Sequence, residues 1–210
     1  MEKNGHQSCS KFRHKKMKFI KFFILGALAA LGALTCELVL SSLLSILFNV
    51  NIEKDYLSKI TFFLIIVVII EELFKLALLA KLFSSIEKSS SKFILSIFFG
   101  GGFAFIEVYL KLISLSISNI FSFPFLGVFL IHIITSGIIG YFLIKKSYSI
   151  LSAIQALLIS SLFHLTYNLL VIYNQDAIFA YIYLFSISIF LFILKINLQN
   201  KSYSTIIKTR

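Results

Sequence analysis

The sequence predicts an all-α fold: a polytopic membrane helix bundle of about six transmembrane helices. Three observations carry that reading. Hydrophobic residues make up 59% of the 210-residue chain and charged residues only 14%, against roughly a quarter charged in ordinary soluble domains. Mean hydropathy is +0.95, and a soluble globule of this size could not hide so much apolar surface, because it still exposes a large share of its area. Segments 22–49, 60–82, 93–115, 124–144, 150–173 and 177–196 are each apolar and near the ~20 residues that cross hydrocarbon. None shows the alternation of a transmembrane β-strand. A soluble enzyme, a disordered chain and a disulfide scaffold are excluded, since Cys9 and Cys36 are the only cysteines and cannot form a framework.

The chain opens on a basic tail, residues 1–21, with Lys3, Lys11, Arg13, Lys15, Lys16, Lys18 and Lys21. Beside a membrane span such a run reads as a topology signal facing the cytoplasm and its anionic lipid, not as a nucleic-acid site. The first span, 22–49, is long enough to tilt or to emerge partly from the bilayer. Its start mimics a lipoprotein signal ending at Cys36. However, Ala33-Leu34-Thr35 is a poor cleavage box and the apolar run continues to Val50, so the span reads as uncleaved. The second span, 60–82, carries Glu71, Glu72 and Lys75. The third, 93–115, carries Gly100-Gly101-Gly102, Glu107 and Lys111; inside an apolar span the glycines permit close helix approach or a local break. The fourth, 124–144, holds His132, and the fifth, 150–173, holds His164 and Asn168. The sixth, 177–196, precedes a tail, 197–210, with Lys201, Lys208 and Arg210. Lys81, Lys88, Lys92, Lys145 and Lys146 fall in or beside the connections on the side of the basic N-terminus. The opposite connections, 50–59, 116–123 and 174–176, are mixed, uncharged and marked by Asp176. Both termini are therefore expected in the cytoplasm.

The charges inside the spans are the informative feature. Insertion places Asp, Lys or Arg at ~2.5–3.5 kcal/mol each near a helix centre, with Glu of similar order, so such groups face a protein interior or a water-filled cavity and mark function. Lys75 lies four residues from Glu71 and three from Glu72, so it can neutralise either from one helix face. Glu107 and Lys111 repeat the spacing, and His164 and Asn168 sit one turn apart. Glu107, His132 and His164 each lie ~8–9 residues, or ~12–14 Å, from the outer span ends, with Glu71 and Glu72 nearer the midplane. Four helices thus place titratable groups in one slab of membrane. Glu37, on the first span, has no matching partner pattern.

Water with paired carboxylates and imidazoles suits hydrolysis: a carboxylate serves as general base, while His and Asn donate to a developing oxyanion. The same groups suit a divalent metal such as Zn2+. Other intramembrane hydrolase patterns are absent. Ile133 and Leu165 follow the two histidines, which excludes His-Glu-x-x-His. Asp55 and Asp176 fall in loops, which excludes an aspartyl dyad, and no Gly-x-Ser-Gly run occurs.

Four motifs in order resemble the PrsW family of intramembrane proteases. Glu71-Glu72-Leu73-Phe74-Lys75 resembles its Glu-Glu-x-x-Lys motif. Gly102-Phe103-Ala104-Phe105-Ile106-Glu107 resembles Phe-x-x-x-Glu. His132 followed by Gly137 and Gly140 resembles the third motif, and His164-Leu165-Thr166-Tyr167-Asn168 resembles His-x-x-x-Asn. The resemblance spans nearly the whole chain. It implies kinship with the superfamily of CAAX prenyl proteases and bacteriocin-immunity proteins, whose glutamates and histidines form the active site. It also implies an intramembrane endopeptidase acting on a membrane-anchored protein, with anti-sigma factors as the PrsW substrate class. The implied catalytic set is Glu71, Glu72, Glu107, His132, His164 and Asn168, supported by Lys75 and Phe103. Glu72 is favoured over Glu71 as the base, and His132, His164, Glu107 and Glu72 are the candidate metal ligands. Two departures stand out: Val108 replaces the Asn often found after the second-motif Glu, and residues 116–131 hold no charge where an Arg is common. A non-proteolytic immunity or partner-binding protein of the same fold is the alternative reading. An ion-coupled transporter fits less well, because no repeat halves are visible.

Overall fold

Runs of Leu, Ile and Phe long enough to span hydrocarbon leave the backbone one way to satisfy its own polar groups, the α-helix. In the computed structural model the helices are, in order, α1 (Asn4–Phe48), α2 (Tyr56–Phe83), α3 (Ser89–Leu115), α4 (Phe123–Lys145), α5 (Ile150–Tyr173) and α6 (Ala177–Lys208), with no strand among the described residues. The structure describes residues 4–48, 56–84, 86, 89–115, 123–145, 149–173 and 177–208, with side chains at 17–46, 62–84, 86, 91–113, 125–145, 149–173 and 178–200. Most of the residues behind the topology expectation, including Lys3, Lys11, Arg13, Lys15, Lys16, Lys88, Lys146, Asp176, Lys201, Lys208 and Arg210, lie outside the described side chains.

The chain is a polytopic membrane helix bundle. Five stretches are long and apolar enough to cross a membrane: Met17–Ile46, Ser91–Ile113, Phe125–Lys145, Ile150–Tyr173 and Ile178–Asn200. The helix missing from that set is α2, which concentrates Glu71, Glu72 and Lys75 within about one turn. Hydropathy penalises those charges, yet Glu72 and Lys75 are wholly buried in protein and do not meet lipid.

Local chemistry fixes the ends. The single proline, Pro124, sits in the first turn of α4, where its missing N–H costs nothing. Ser149 caps α5: its Oγ accepts the Ser152 N–H at 3.2 Å, satisfying one orphan donor of the first turn.

The central helix is α4, with 67% of its span buried, against 22% for α1 and for α5. It serves two apolar clusters. Ile139 and Leu143 join Phe22, Ala29, Leu79, Phe83, Phe99 and Phe103 of α1–α3. Ile131, Ile134 and Ile138 join Tyr167 of α5 and Leu184 and Ile187 of α6. The glycine run sets the crossings and does not break α3, which is continuous. A Cβ on Gly102 would fall on the Phe23 backbone carbonyl, and one on Gly26 on that of Phe99. So α1 and α3 touch backbone to backbone. Gly100 does the same toward α4, where a Cβ would meet the His132 carbonyl oxygen at 2.5 Å. These contacts bring Phe103 and Glu107 of α3 alongside His132.

Candidate active site

Helical spacing alone places the acids of α2. Lys75 can reach back three residues or four, and the structure uses the shorter reach. Its Nζ donates to Glu72 Oε1 at 2.7 Å, to His132 Nδ1 at 2.7 Å and to Thr135 Oγ1 at 3.1 Å. The ammonium also lies 4.6 Å from the centre of the Phe103 ring, a cation–π contact. Three hydrogen bonds account for its three N–H groups, which is what a fully buried lysine requires.

This arrangement assigns the histidine protons. An ammonium only donates, so His132 Nδ1 presents its lone pair to Lys75. The proton is then on Nε2, where Glu107 Oε2 accepts it. The other oxygen of Glu107 accepts from Lys111, whose side chain is 45% exposed. His164 donates its Nδ1–H to Glu72 Oε1 at 2.8 Å, leaving Nε2 as the lone-pair nitrogen of the neutral ring. The two imidazoles stand edge to face, 4.8 Å between centroids, and Phe103 packs on the His132 ring at 4.9 Å.

Glu71 differs from its neighbour. Its Oε2 lies 3.4 Å from His164 Nδ1, but that N–H is already given to Glu72. Glu71 Oε2 is buried without a hydrogen-bond partner, and so is Glu72 Oε2. Unpaired carboxylate oxygens in a site closed to water are costly, and they mark where a further ligand belongs. Glu71, His132 and His164 each offer a ligand atom within 4.8 Å of the others. Two imidazoles and a carboxylate are a known zinc donor set, so these residues fit a divalent metal. Of the other ligands expected from the sequence, Glu72 holds Lys75 and His164, and Glu107 holds His132 and Lys111.

The structure therefore gathers Glu71, Glu72, Lys75, Phe103, Glu107, His132 and His164. Asn168 is half-buried one turn beyond His164, and no hydrogen bond joins it to these residues. One participant, Thr135, escaped the sequence reading, and one, Glu37, was visible there only as an in-span charge without a partner pattern. Thr135 lies three residues after His132 and so on the same face, the one signal that points to it. Glu37 of α1 is an electrostatic neighbour of Glu107, Lys111 and Glu71, a contact across three helices that no local spacing encodes. Ser136 is fully buried against Gly100, its Oγ without a partner.

The arrangement has the parts of a hydrolytic site: a buried polar cluster, imidazoles oriented by carboxylates, and a carboxylate oxygen of Glu71 without a hydrogen bond. No curated protein and no solved structure matches the chain. A family model described as PrsW family intramembrane metalloprotease matches residues 15–194, a stretch that reaches into all six helices and includes every residue of the cluster. The chain belongs to the PrsW family of intramembrane metalloproteases.

Proposed function

We propose that the cluster hydrolyses a peptide bond of a single-pass, membrane-anchored protein, an anti-sigma factor being the substrate class that the family resemblance suggests. The observation that carries this is the buried group Glu71, His132 and His164 with its unpartnered carboxylate oxygen. A divalent metal held there would acidify a bound water and polarise the scissile carbonyl.

The chain's own side chains do the rest. Glu72 accepts the His164 Nδ1–H, the carboxylate–histidine arrangement that orients a ligating imidazole. Glu107 performs the same service at His132 from the other ring nitrogen. Lys75 holds Glu72 and Thr135 in place; His132 Nδ1, which accepts from Lys75, would be free to hold a metal only if it gave up that bond. Asn168, one turn beyond His164, is the proposed donor to the oxyanion. Four carboxylates, Glu37, Glu71, Glu72 and Glu107, face two ammonium groups, Lys75 and Lys111. In the metal-free alternative, Glu71 or Glu72 itself activates water. The geometry favours Glu71, because Glu72 Oε1 already accepts two hydrogen bonds. In this reading both termini face the cytoplasm and the site lies toward the outer half of the bundle.

The test is cleavage of a panel of single-pass peptides in liposomes. Wild type is expected to cut at least one, and His164→Ala and Glu71→Gln to cut none while remaining folded and membrane-inserted. Normal cutting by both variants overturns the assignment.

A further inference from the structure

A protease buried in a bilayer must admit its substrate sideways, and α1 shows where. The inward stripe of α1 is tightly packed only in one half. Phe22, Ala29, Ala30 and Ala33 are at most 5% exposed, and Gly26 sits on the backbone of α3. Continued at helical spacing, the stripe passes through Glu37, Leu40, Ser41 and Leu44, and none of these is buried. No residue from Leu34 to Ile46 is buried.

The facing helices open at the same level. On α2, Val68 is the one buried residue from Phe62 to Ile70. On α3, Glu107 is partly exposed and Lys111 is 45% exposed. Glu37, Glu71, Glu107 and Lys111 are mutual electrostatic neighbours, so the partly exposed stretches of α1, α2 and α3, which form a shallow crevice, border the catalytic group. The outer half of α1 is also weakly held within itself. Thr35, Ser41, Ser42 and Ser45 donate their hydroxyls to carbonyls three or four residues back, a pattern that slightly destabilises and bends helices.

We propose that this crevice is the docking site for an unwound stretch of the substrate's transmembrane segment, which approaches from the bilayer between α1 and α3. The inference rests on the protease reading. Cleavage requires an extended backbone, and in hydrocarbon each freed N–H and C=O needs a partner. Glu37 supplies a carboxylate and Ser41 a hydroxyl oxygen that can accept substrate N–H groups. The apolar side chains Leu40 and Leu44 meet the substrate's own. Glu37 is thereby a binding residue of the crevice, outside the catalytic group.

The experiment uses the full chain carrying His164→Ala, held in nanodiscs. The probe is a single-pass Leu/Ala peptide with a Gly-Ser pair in its outer third and photo-leucine on either side of that pair. Irradiation and mass spectrometry map the adducts. Adducts are expected on Leu40 and Leu44, several-fold above those on the exposed Leu158 and Leu162 of α5. Glu37→Leu is expected to lower the crevice adducts several-fold, and Glu37→Gln, which still accepts a hydrogen bond, to restore much of them. Adducts spread evenly over α5 and α1, or none in the crevice, overturn the proposal. Cleavage of the same peptide by wild type separates the two claims. Crevice adducts without cleavage keep the docking site and count against the protease reading. Cleavage with adducts only on α5 or α6 keeps the protease and removes the crevice.

Discussion

Replacing Lys75 by Met tests the energetics of the buried network. Met keeps most of the side-chain volume but removes the ammonium, and with it the hydrogen bonds to Glu72, His132 and Thr135. At 2.7 Å and an effective dielectric constant of about 20, the Lys75–Glu72 attraction is about 6 kcal/mol. Desolvation of the two ions offsets part of this in the native protein, and losing one partner of a buried pair costs ~3–5 kcal/mol, because the other charge is stranded. For a chain of this size that is a fall in melting temperature of roughly 6–20 °C. The double variant Glu72→Leu with Lys75→Met removes both charges, and well-packed apolar pairs replace buried ion pairs at little or no cost. The double variant is therefore expected to melt well above the single one and to remain catalytically dead. Thermal unfolding of the three proteins in one detergent reads the result. Equal losses in single and double variants, or a Lys75→Met protein as stable as wild type, would show that no stranded buried charge sets the stability.

Three further outcomes follow from the same geometry. Glu71→Gln should cost little stability, since Glu71 Oε2 accepts no hydrogen bond, yet abolish cleavage; Glu72→Gln should lower the melting temperature as well, because it strands Lys75. Gly102→Leu should destabilise by ~1–3 kcal/mol through forced separation of α1 from α3, since its Cβ would fall on the Phe23 carbonyl. Gly101→Ala is the control: its Cβ meets Phe129 and Phe23 at an ordinary 3.9 Å, and removing a helix-interior glycine gains up to about 1 kcal/mol, so the two variants should shift the unfolding midpoint in opposite directions.

The bundle was legible because hydrophobic length and helix formation are local properties in hydrocarbon. The cluster was legible because charges inside spans are too costly to be incidental, and because four short motifs match one family. Sequence spacing could not choose between Glu71 and Glu72 as the partner of Lys75, because i, i+3 and i, i+4 are both within reach. That choice was made by His132, 57 residues beyond Lys75, and by His164, 92 residues beyond Glu72. It leaves Glu71, not Glu72, with the uncommitted carboxylate, against the preference drawn from sequence. Thr135 carried only a weak same-face signal among many hydroxyl residues. Glu37 was visible as a charge inside a span, but not its neighbours, which lie on other helices. The Gly100–Gly102 run was ambiguous between a break and a close approach; the backbones of α1 and α4 on either side of α3 decide for approach.

Glu71, His132 and His164 are proposed to form a metal-dependent hydrolytic centre. Its most direct test is metal content measured alongside cleavage on the purified protein in detergent. About one zinc-like ion per chain is expected, with loss of cleavage on adding a chelator, recovery when metal is returned, and no bound metal in folded His164→Ala or Glu71→Gln. Cleavage that persists with no bound metal would contradict the metal centre and leave glutamate-activated water. Cleavage that persists without Glu71 and His164 would contradict the site itself.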